Sequence, residues 1–80
     1  MVDAYVLINV KPGHAYDVLH ALEKIKEIKR YDAVTGPYDI IALVSCLDFH
    51  ILGELILEKI QGLEGVEKTL TCPVFRLEET

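Results

Sequence analysis

The sequence predicts an α+β fold whose elements follow the order β-α-β-β-α-β. Two runs, 4–10 and 40–46, are apolar on both alternating faces and rich in β-branched residues, as central strands are. Two other segments carry apolar residues at helical spacing. Glycine and proline lie between the segments, where strands and helices have to end. These three observations together define six elements.

The first half of the chain predicts a strand, a helix and a second strand. The strand at 4–10 ends before Pro12-Gly13, and a helix follows from about His14 to Ile25. The apolar residues of this helix that recur at helical spacing are Ala15, Val18, Leu22 and Ile25. Residues 28–35 mix apolar and charged side chains, which is typical of an edge strand because charges discourage unwanted pairing.

The second half predicts the same sequence of elements, starting with the central strand at 40–46. Asp48 suits the N-cap of the next helix, and Gly62 suits its C-terminal end. The apolar stripe of this helix consists of Leu52, Leu55, Ile56 and Ile60. A last strand begins near Val66, and Pro73 indicates that it is an edge or bulged strand.

Short connections and right-handed crossovers select one arrangement of these elements, a ferredoxin-like sandwich with an antiparallel sheet ordered 4-1-3-2. The chain of 80 residues is then a single domain, 1–80. Two helices cover one face of the sheet. The other face needs a different cover, because strands 1 and 3 have no polar side in this interpretation. We therefore expect a homodimer that packs sheet to sheet into an α/β barrel.

Composition excludes several classes of function. The net charge is −5, which argues against direct binding of nucleic acid, since phosphate contacts need clustered Lys and Arg. No apolar run approaches the roughly 20 residues of a membrane span, and no targeting signal is visible. The two cysteines, Cys46 and Cys72, have neither metal-ligand nor redox spacing, so we expect a cytoplasmic protein with reduced thiols.

The sequence contains no recognisable catalytic constellation. The one serine, Ser45, has no histidine near it in sequence, and the carboxylates are scattered. We therefore expect no enzymatic activity, no catalytic residue, no metal site and no cofactor.

Two histidines support an alternative function. We expect strands 1 and 3 to be adjacent and parallel, so that both helices begin at the same end of the sheet, where His14 and His50 could lie within reach of each other. Two histidines can bind a metal or transfer a proton. The alternative is a dimeric α+β barrel enzyme, or a heme- or metal-handling protein, that uses this pair.

The remaining polar residues favour recognition of a small zwitterion. Thr35, Gly36, Tyr38 and Asp39 offer a hydroxyl, an open backbone, an aromatic wall and a carboxylate. The ammonium group of an amino acid pairs with a carboxylate, and its own carboxylate accepts N–H and O–H donors. Two further hydroxyls, those of Thr69 and Thr71, point to one face of the last strand. The expected ligand-binding set is Thr35, Gly36, Tyr38, Asp39, Thr69 and Thr71.

Three motifs carry a resemblance to a known family. They are Lys11-Pro12-Gly13, Val34-Thr35-Gly36-Pro37-Tyr38-Asp39, and Leu63-Glu64-Gly65-Val66-Glu67-Lys68-Thr69. In this order they resemble the RAM domain, the effector-binding half of the Lrp/AsnC (feast/famine) transcriptional regulators. Pro37 stands where many members carry an acidic residue.

The resemblance implies a function. It implies amino acid effectors bound between neighbouring dimers near the central turn, with Gly36, Tyr38 and Asp39 at the matching positions, and dimers that assemble into higher oligomers. The chain begins at the first RAM strand, so we expect a stand-alone domain without a DNA-binding domain. Its expected role is to modulate transcription by associating with full-length Lrp/AsnC regulators.

Overall fold

The computed structural model describes residues 1–77 and contains four strands and two helical segments. The elements are β1 (Val2–Val10), α1 (Ala15–Glu23), β2 (Ile28–Ala33), β3 (Ile40–Cys46), α2 (Phe49–Glu54), which continues as a π-helix (Leu55–Ile60), and β4 (Val66–Pro73). Their order is the predicted β-α-β-β-α-β. None of the helices among these residues is long and apolar enough to cross a membrane.

The four strands form one sheet in the order β2-β3-β1-β4, which is the predicted order 4-1-3-2 counted from the other edge. All three neighbouring pairs are antiparallel. In the β1–β3 pair, Val2 lies opposite Cys46 and Ile8 lies opposite Ile40. The ferredoxin-like α+β fold is therefore confirmed.

The assumption that strands 1 and 3 are parallel is wrong. In this fold the chain returns through β2 before it enters β3, and β2 forms an antiparallel hairpin with β3. As a result β3 runs opposite to β1, and α1 and α2 begin at opposite ends of the sheet.

The core lies between the sheet and the helices. Alternate residues of the two central strands point into it and are fully buried, namely Ala4, Val6, Ile8, Ile40, Ala42 and Val44. The helices cover them with Val18, Leu22, Leu52, Leu55, Ile56 and Ile60. The predicted apolar stripe of the second helix therefore faces the core. The stripe of the first helix faces it through Val18 and Leu22, whereas Ala15 is exposed and Ile25, which packs against the core, lies beyond the end of α1 at Glu23.

No helix or strand among residues 1–77 covers the other face of the sheet, whose centre is apolar. Leu7, Ile41 and Leu43 are half-buried there, and Tyr5 and Leu70 are 39% and 46% exposed. The expectation that strands 1 and 3 lack a polar side is wrong, because the face they share ends in polar groups. These are Asp3, Asn9 and Ser45.

The helix that begins with α2 differs from a regular α-helix. Asp48 caps it as predicted, since its Oδ1 accepts a hydrogen bond of 2.9 Å from the Ile51 N–H. Beyond Glu54 the helix widens into a π-helix, and the Gln61 N–H donates to the carbonyl of Ile56, five residues earlier, at 2.8 Å. The sequence gives no signal for this change, because the buried positions fit both kinds of helix.

Candidate functional site

Three chain segments meet at one end of the sheet. Because β1 runs antiparallel to both β3 and β4, the end of β1 lies beside the starts of those two strands. We call this region the turn end and define it as residues 9–14, 34–39 and 63–66. All three motifs that the sequence analysis singled out reach it, although they are far apart in the chain.

The central turn at 34–39 is fastened to β1 by three hydrogen bonds. The Asp39 N–H donates to the Ile8 carbonyl, and the Val10 N–H donates to Asp39 Oδ2, each at 2.9 Å. The Asn9 side chain adds a third, from Nδ2 to the Pro37 carbonyl, also at 2.9 Å. Three consecutive residues of β1 thus fix the position of the turn.

Asp39 continues the sheet with its side chain. The β1–β3 ladder ends at the pair Ile8–Ile40, and beyond it a carboxylate oxygen takes the place of a strand carbonyl as acceptor for Val10. Asp39 is half-buried, and its Oδ1 accepts no hydrogen bond from the residues the structure describes. One oxygen therefore holds the fold while the other can receive a ligand.

The rest of the turn presents open backbone and an aromatic ring. Gly36 has a φ of 143°, a conformation that favours glycine, and a Cβ built there would meet no atom within 4 Å. Thr35 is exposed and Tyr38 is half-buried beside Asp39. The turn therefore brings together four of the predicted site residues: Thr35, Gly36, Tyr38 and Asp39.

The two predicted threonines of β4 lie away from the central turn in the folded chain. Thr69 and Thr71 point to one face, as predicted, and this is the face that carries the helices, because they lie opposite the buried residues Ile8 and Val6. The Thr69 hydroxyl accepts a 2.9 Å hydrogen bond from Gln61 Nε2. With β1 between β4 and the turn, the fold does not bring these hydroxyls to Asp39 within one chain.

Sequence reasoning missed Asn9 as a site residue. Its signal in the sequence is modest: it is the one polar side chain in the apolar run 4–10. Only the antiparallel pairing of β1 with β3, which places Asn9 beside Pro37, shows what the amide does.

His14 closes the turn end on the side of β4. The Lys11 N–H donates to the Gly65 carbonyl at 2.8 Å, and the His14 ring packs against Gly65 so closely that a Cβ there would lie 2.8 Å from His14 Cβ. His14 Nδ1 is buried without a hydrogen-bond partner among the described residues and lies 3.9 Å from Asp17 Oδ2. His14 therefore packs against the α2–β4 connection rather than against another histidine.

The predicted use of His14 and His50 as a pair is wrong. They belong to the starts of α1 and α2, which lie at opposite ends of the sheet because β1 and β3 are antiparallel. His50 Nε2 instead lies 3.6 Å from Glu54 Oε2 on the outer face of α2. Residues 1–77 contain no group of three side chains placed to hold a metal ion.

Comparison with known proteins identifies the family. The profile of the Lrp/AsnC ligand binding domain matches residues 3–78, nearly the whole chain. The chain belongs to the Lrp/AsnC family. The resemblance drawn from the three motifs is therefore confirmed.

Relatives within the family are named as regulators of transcription. An uncharacterized HTH-type transcriptional regulator of Pyrococcus abyssi is 32% identical over 68 residues, which are 85% of this chain and 43% of the relative. The chain thus spans less than half the length of that Lrp/AsnC relative.

Solved structures share the fold over its full extent. TTHA0845 from Thermus thermophilus is 34% identical, with a TM-score of 0.91 and complete coverage of both chains. AsnC of E. coli is 25% identical, with a TM-score of 0.91, over 99% of this chain and 54% of its own. A Neisseria meningitidis transcriptional regulator solved as a complex with L-Met is 16% identical, with a TM-score of 0.89, over 99% of this chain and 53% of its own.

Proposed function

We propose that this Lrp/AsnC domain binds a free amino acid at the turn end and couples its binding to self-association. The observation that carries the proposal is the half-buried carboxylate of Asp39, which is fixed by the Val10 N–H through one oxygen and is open through the other. A carboxylate held in this way pairs with an ammonium group without first having to be ordered.

The rest of the turn supplies the complementary groups. The Thr35 hydroxyl and the backbone around Gly36 offer donors for the carboxylate of an amino acid, and Tyr38 offers an aromatic wall for its side chain. Pairing of both charged ends favours a zwitterion over a simple amine or a simple acid.

Self-association completes the site in this proposal. Tyr5 and Leu70 leave the centre of the open sheet face partly exposed, and a second copy packing sheet to sheet buries it. Further copies next to such a dimer bring hydroxyls such as those of Thr69 and Thr71 to the turn end of a neighbour. A ligand bound between copies stabilises the assembly because it binds that state better.

The comparisons support the class of ligand and the setting. The family description is that of a ligand binding domain, and the Neisseria meningitidis regulator of the same fold was solved with L-Met. Because the related HTH-type regulators are longer, we propose that this domain modulates transcription by assembling with full-length Lrp/AsnC regulators.

Thermal-shift measurements with each of the common amino acids test the proposal. We expect at least one of them to raise the Tm of the wild-type protein, because a ligand that binds only the folded state stabilises it increasingly as its concentration exceeds the Kd. Asp39→Asn keeps an oxygen that can accept from Val10 but removes the charge. It should therefore retain the unliganded Tm and lose the response.

The matched control is Asp32→Asn, which removes the same charge from an exposed carboxylate on β2. It should leave both the Tm and the response unchanged. A full amino acid response in Asp39→Asn would exclude Asp39 as the partner of the ammonium group.

A further inference from the structure

The outer face of α2 and of the π-helix that continues it carries an apolar groove, called the groove of α2 below, which the turn end does not use. The groove has a volume of about 320 Å³, and six residues line it: Phe49, His50, Gly53, Glu54, Leu57 and Glu58. Phe49 is 64% exposed and Leu57 is 68% exposed. Two large apolar side chains on one helix face, away from the sheet, indicate a surface that a protein partner covers.

The groove is centred on a glycine. Phe49 precedes Gly53 by four residues and Leu57 follows it by four, and the three form one row of the groove lining across the junction of α2 and the π-helix. A Cβ built on Gly53 would meet no atom within 4 Å, so the fold of a single chain does not require glycine here. Glycine is unfavourable inside a helix, but it lets another backbone approach closely.

A second row holds the charged groups of the groove. His50, Glu54 and Glu58 also follow one another at intervals of four residues, and they line the same groove as the apolar row. His50 offers ring N–H donors, and the two carboxylates offer acceptors. The row therefore has its donor at one end and its acceptors at the centre and the other end.

This arrangement is complementary to itself. When two copies of the helix pack antiparallel about a two-fold axis at Gly53, Phe49 of one copy lies level with Leu57 of the other. His50, three residues before the axis, then lies level with the gap between Glu54 and Glu58 of the second copy. An isologous contact needs this kind of pairing, in which each residue meets its complement when the patch is turned on itself.

We propose that the groove of α2 is an interface between two copies of this chain, with Gly53 at the crossing point. The contact lies on the helix side of the sandwich, opposite the open sheet face, so both contacts can form at once. A chain with two different isologous contacts builds assemblies larger than a dimer. The proposal stands independently of the amino acid site at the turn end.

Substitution of Gly53 tests the contact, with the mass measured by size-exclusion chromatography and light scattering. Gly53→Leu places a side chain where a single chain has open space but where the second helix has to approach. We expect the variant to stay folded and its assembly to fall to the dimer that the sheet-to-sheet contact holds. Leu70→Asp, on the open sheet face, should break the other contact and leave the helix pair intact.

Charge reversal provides a second test that does not depend on Gly53→Leu folding. His50→Glu brings a third carboxylate against Glu54 and Glu58 of the second copy and should also leave only the sheet-to-sheet dimer. The double variant His50→Glu with Glu58→Lys should recover the larger assembly. His20→Glu makes the same change on the exposed face of α1 and should have no effect.

Three results would overturn the proposal. The first is a wild-type protein no larger than a dimer that dissociates into monomers in Leu70→Asp. The others are an unchanged mass in folded Gly53→Leu and an unchanged mass in His50→Glu. Loss of the amino acid response in Asp39→Asn leaves this contact in place, so the two proposals fail separately.

Discussion

The turn end and the outer face of α2 hold their residues in opposite ways. At the turn end, hydrogen bonds from β1 hold Asp39 and the Pro37 carbonyl, and Gly65 is so close to His14 that a Cβ added to Gly65 would clash. On the outer face of this helix Phe49 and Leu57 face solvent, and a Cβ added to Gly53 would meet no atom within 4 Å. A ligand site needs polar groups held in advance, whereas a contact between copies needs exposed apolar area and room to approach.

The largest expected effect on the free energy of unfolding comes from replacing Gly65 by alanine. The same replacement at Gly53 should change that free energy in the opposite direction. At Gly65 a Cβ would lie 2.8 Å from His14 Cβ, and the φ of 96° is unfavourable for any other residue. We expect Gly65→Ala to lower the free energy of unfolding by about 2–4 kcal/mol, from strain and overpacking together.

Gly53→Ala is the matched substitution on the other region. It should raise the free energy of unfolding by up to about 1 kcal/mol, since alanine favours a helix and meets no atom. Urea denaturation of both variants gives the comparison. Equal effects at the two positions would show that the turn end is no more tightly packed than the helix face.

The next effect concerns the fastening of the turn by Asn9. Asn9→Ala removes the donor to the Pro37 carbonyl, and we expect a loss of about 1 kcal/mol in the free energy of unfolding. The amino acid response should weaken as well, because the turn that carries Asp39 is less firmly held. Lys68→Ala, an exposed change opposite Asn9 on β4, should stay within about 0.5 kcal/mol of the wild type in urea denaturation.

The smallest effect is a pH dependence at the end of the sheet away from the turn. Hydrogen bonds from Ser45 and from Arg76, the latter at 2.7 Å, lower the pKa of Asp3 below its ordinary value. Because the pKa is lowered in the folded state, the contribution of Asp3 is complete above its unfolded pKa of about 4 and is lost as the pH falls through the folded pKa.

Ser45→Ala should reduce this contribution, since the Ser45 hydrogen bond is its largest cause. Urea unfolding at pH 7 and at pH 3 measures the effect. The difference in the free energy of unfolding between wild type and variant should be smaller at pH 3 than at pH 7. An equal difference at the two pH values would mean that the Ser45 hydrogen bond does not lower the pKa of Asp3.

Much of the fold follows from local signals in the sequence. The predicted bounds of β3 agree with the structure, the Asp48 cap forms as expected, and the helical stripes face the core except at Ala15, which is exposed. These features depend on residues within a few positions of one another, so periodicity and turn chemistry determine them.

The candidate site could be predicted only in part. The turn from Thr35 to Asp39 was recognised because glycine, proline and a carboxylate occur together there, whereas the role of Asn9 depends on Pro37, which is 28 residues away. The prediction of a His14–His50 pair was wrong for a related reason. It depended on the relative direction of β1 and β3, which local sequence patterns do not determine.

By itself, the sequence determined the order of the elements, the residues that fill the core and the family to which the chain belongs. The tertiary structure alone decided the direction of β3 against β1, the attachment of Asp39 and Pro37 to β1, and the helix-bearing face on which Thr69 and Thr71 lie. The physical reason is range: secondary structure follows from the interactions of near neighbours, whereas sheet register is fixed by contacts between distant segments that exist only once the core has formed.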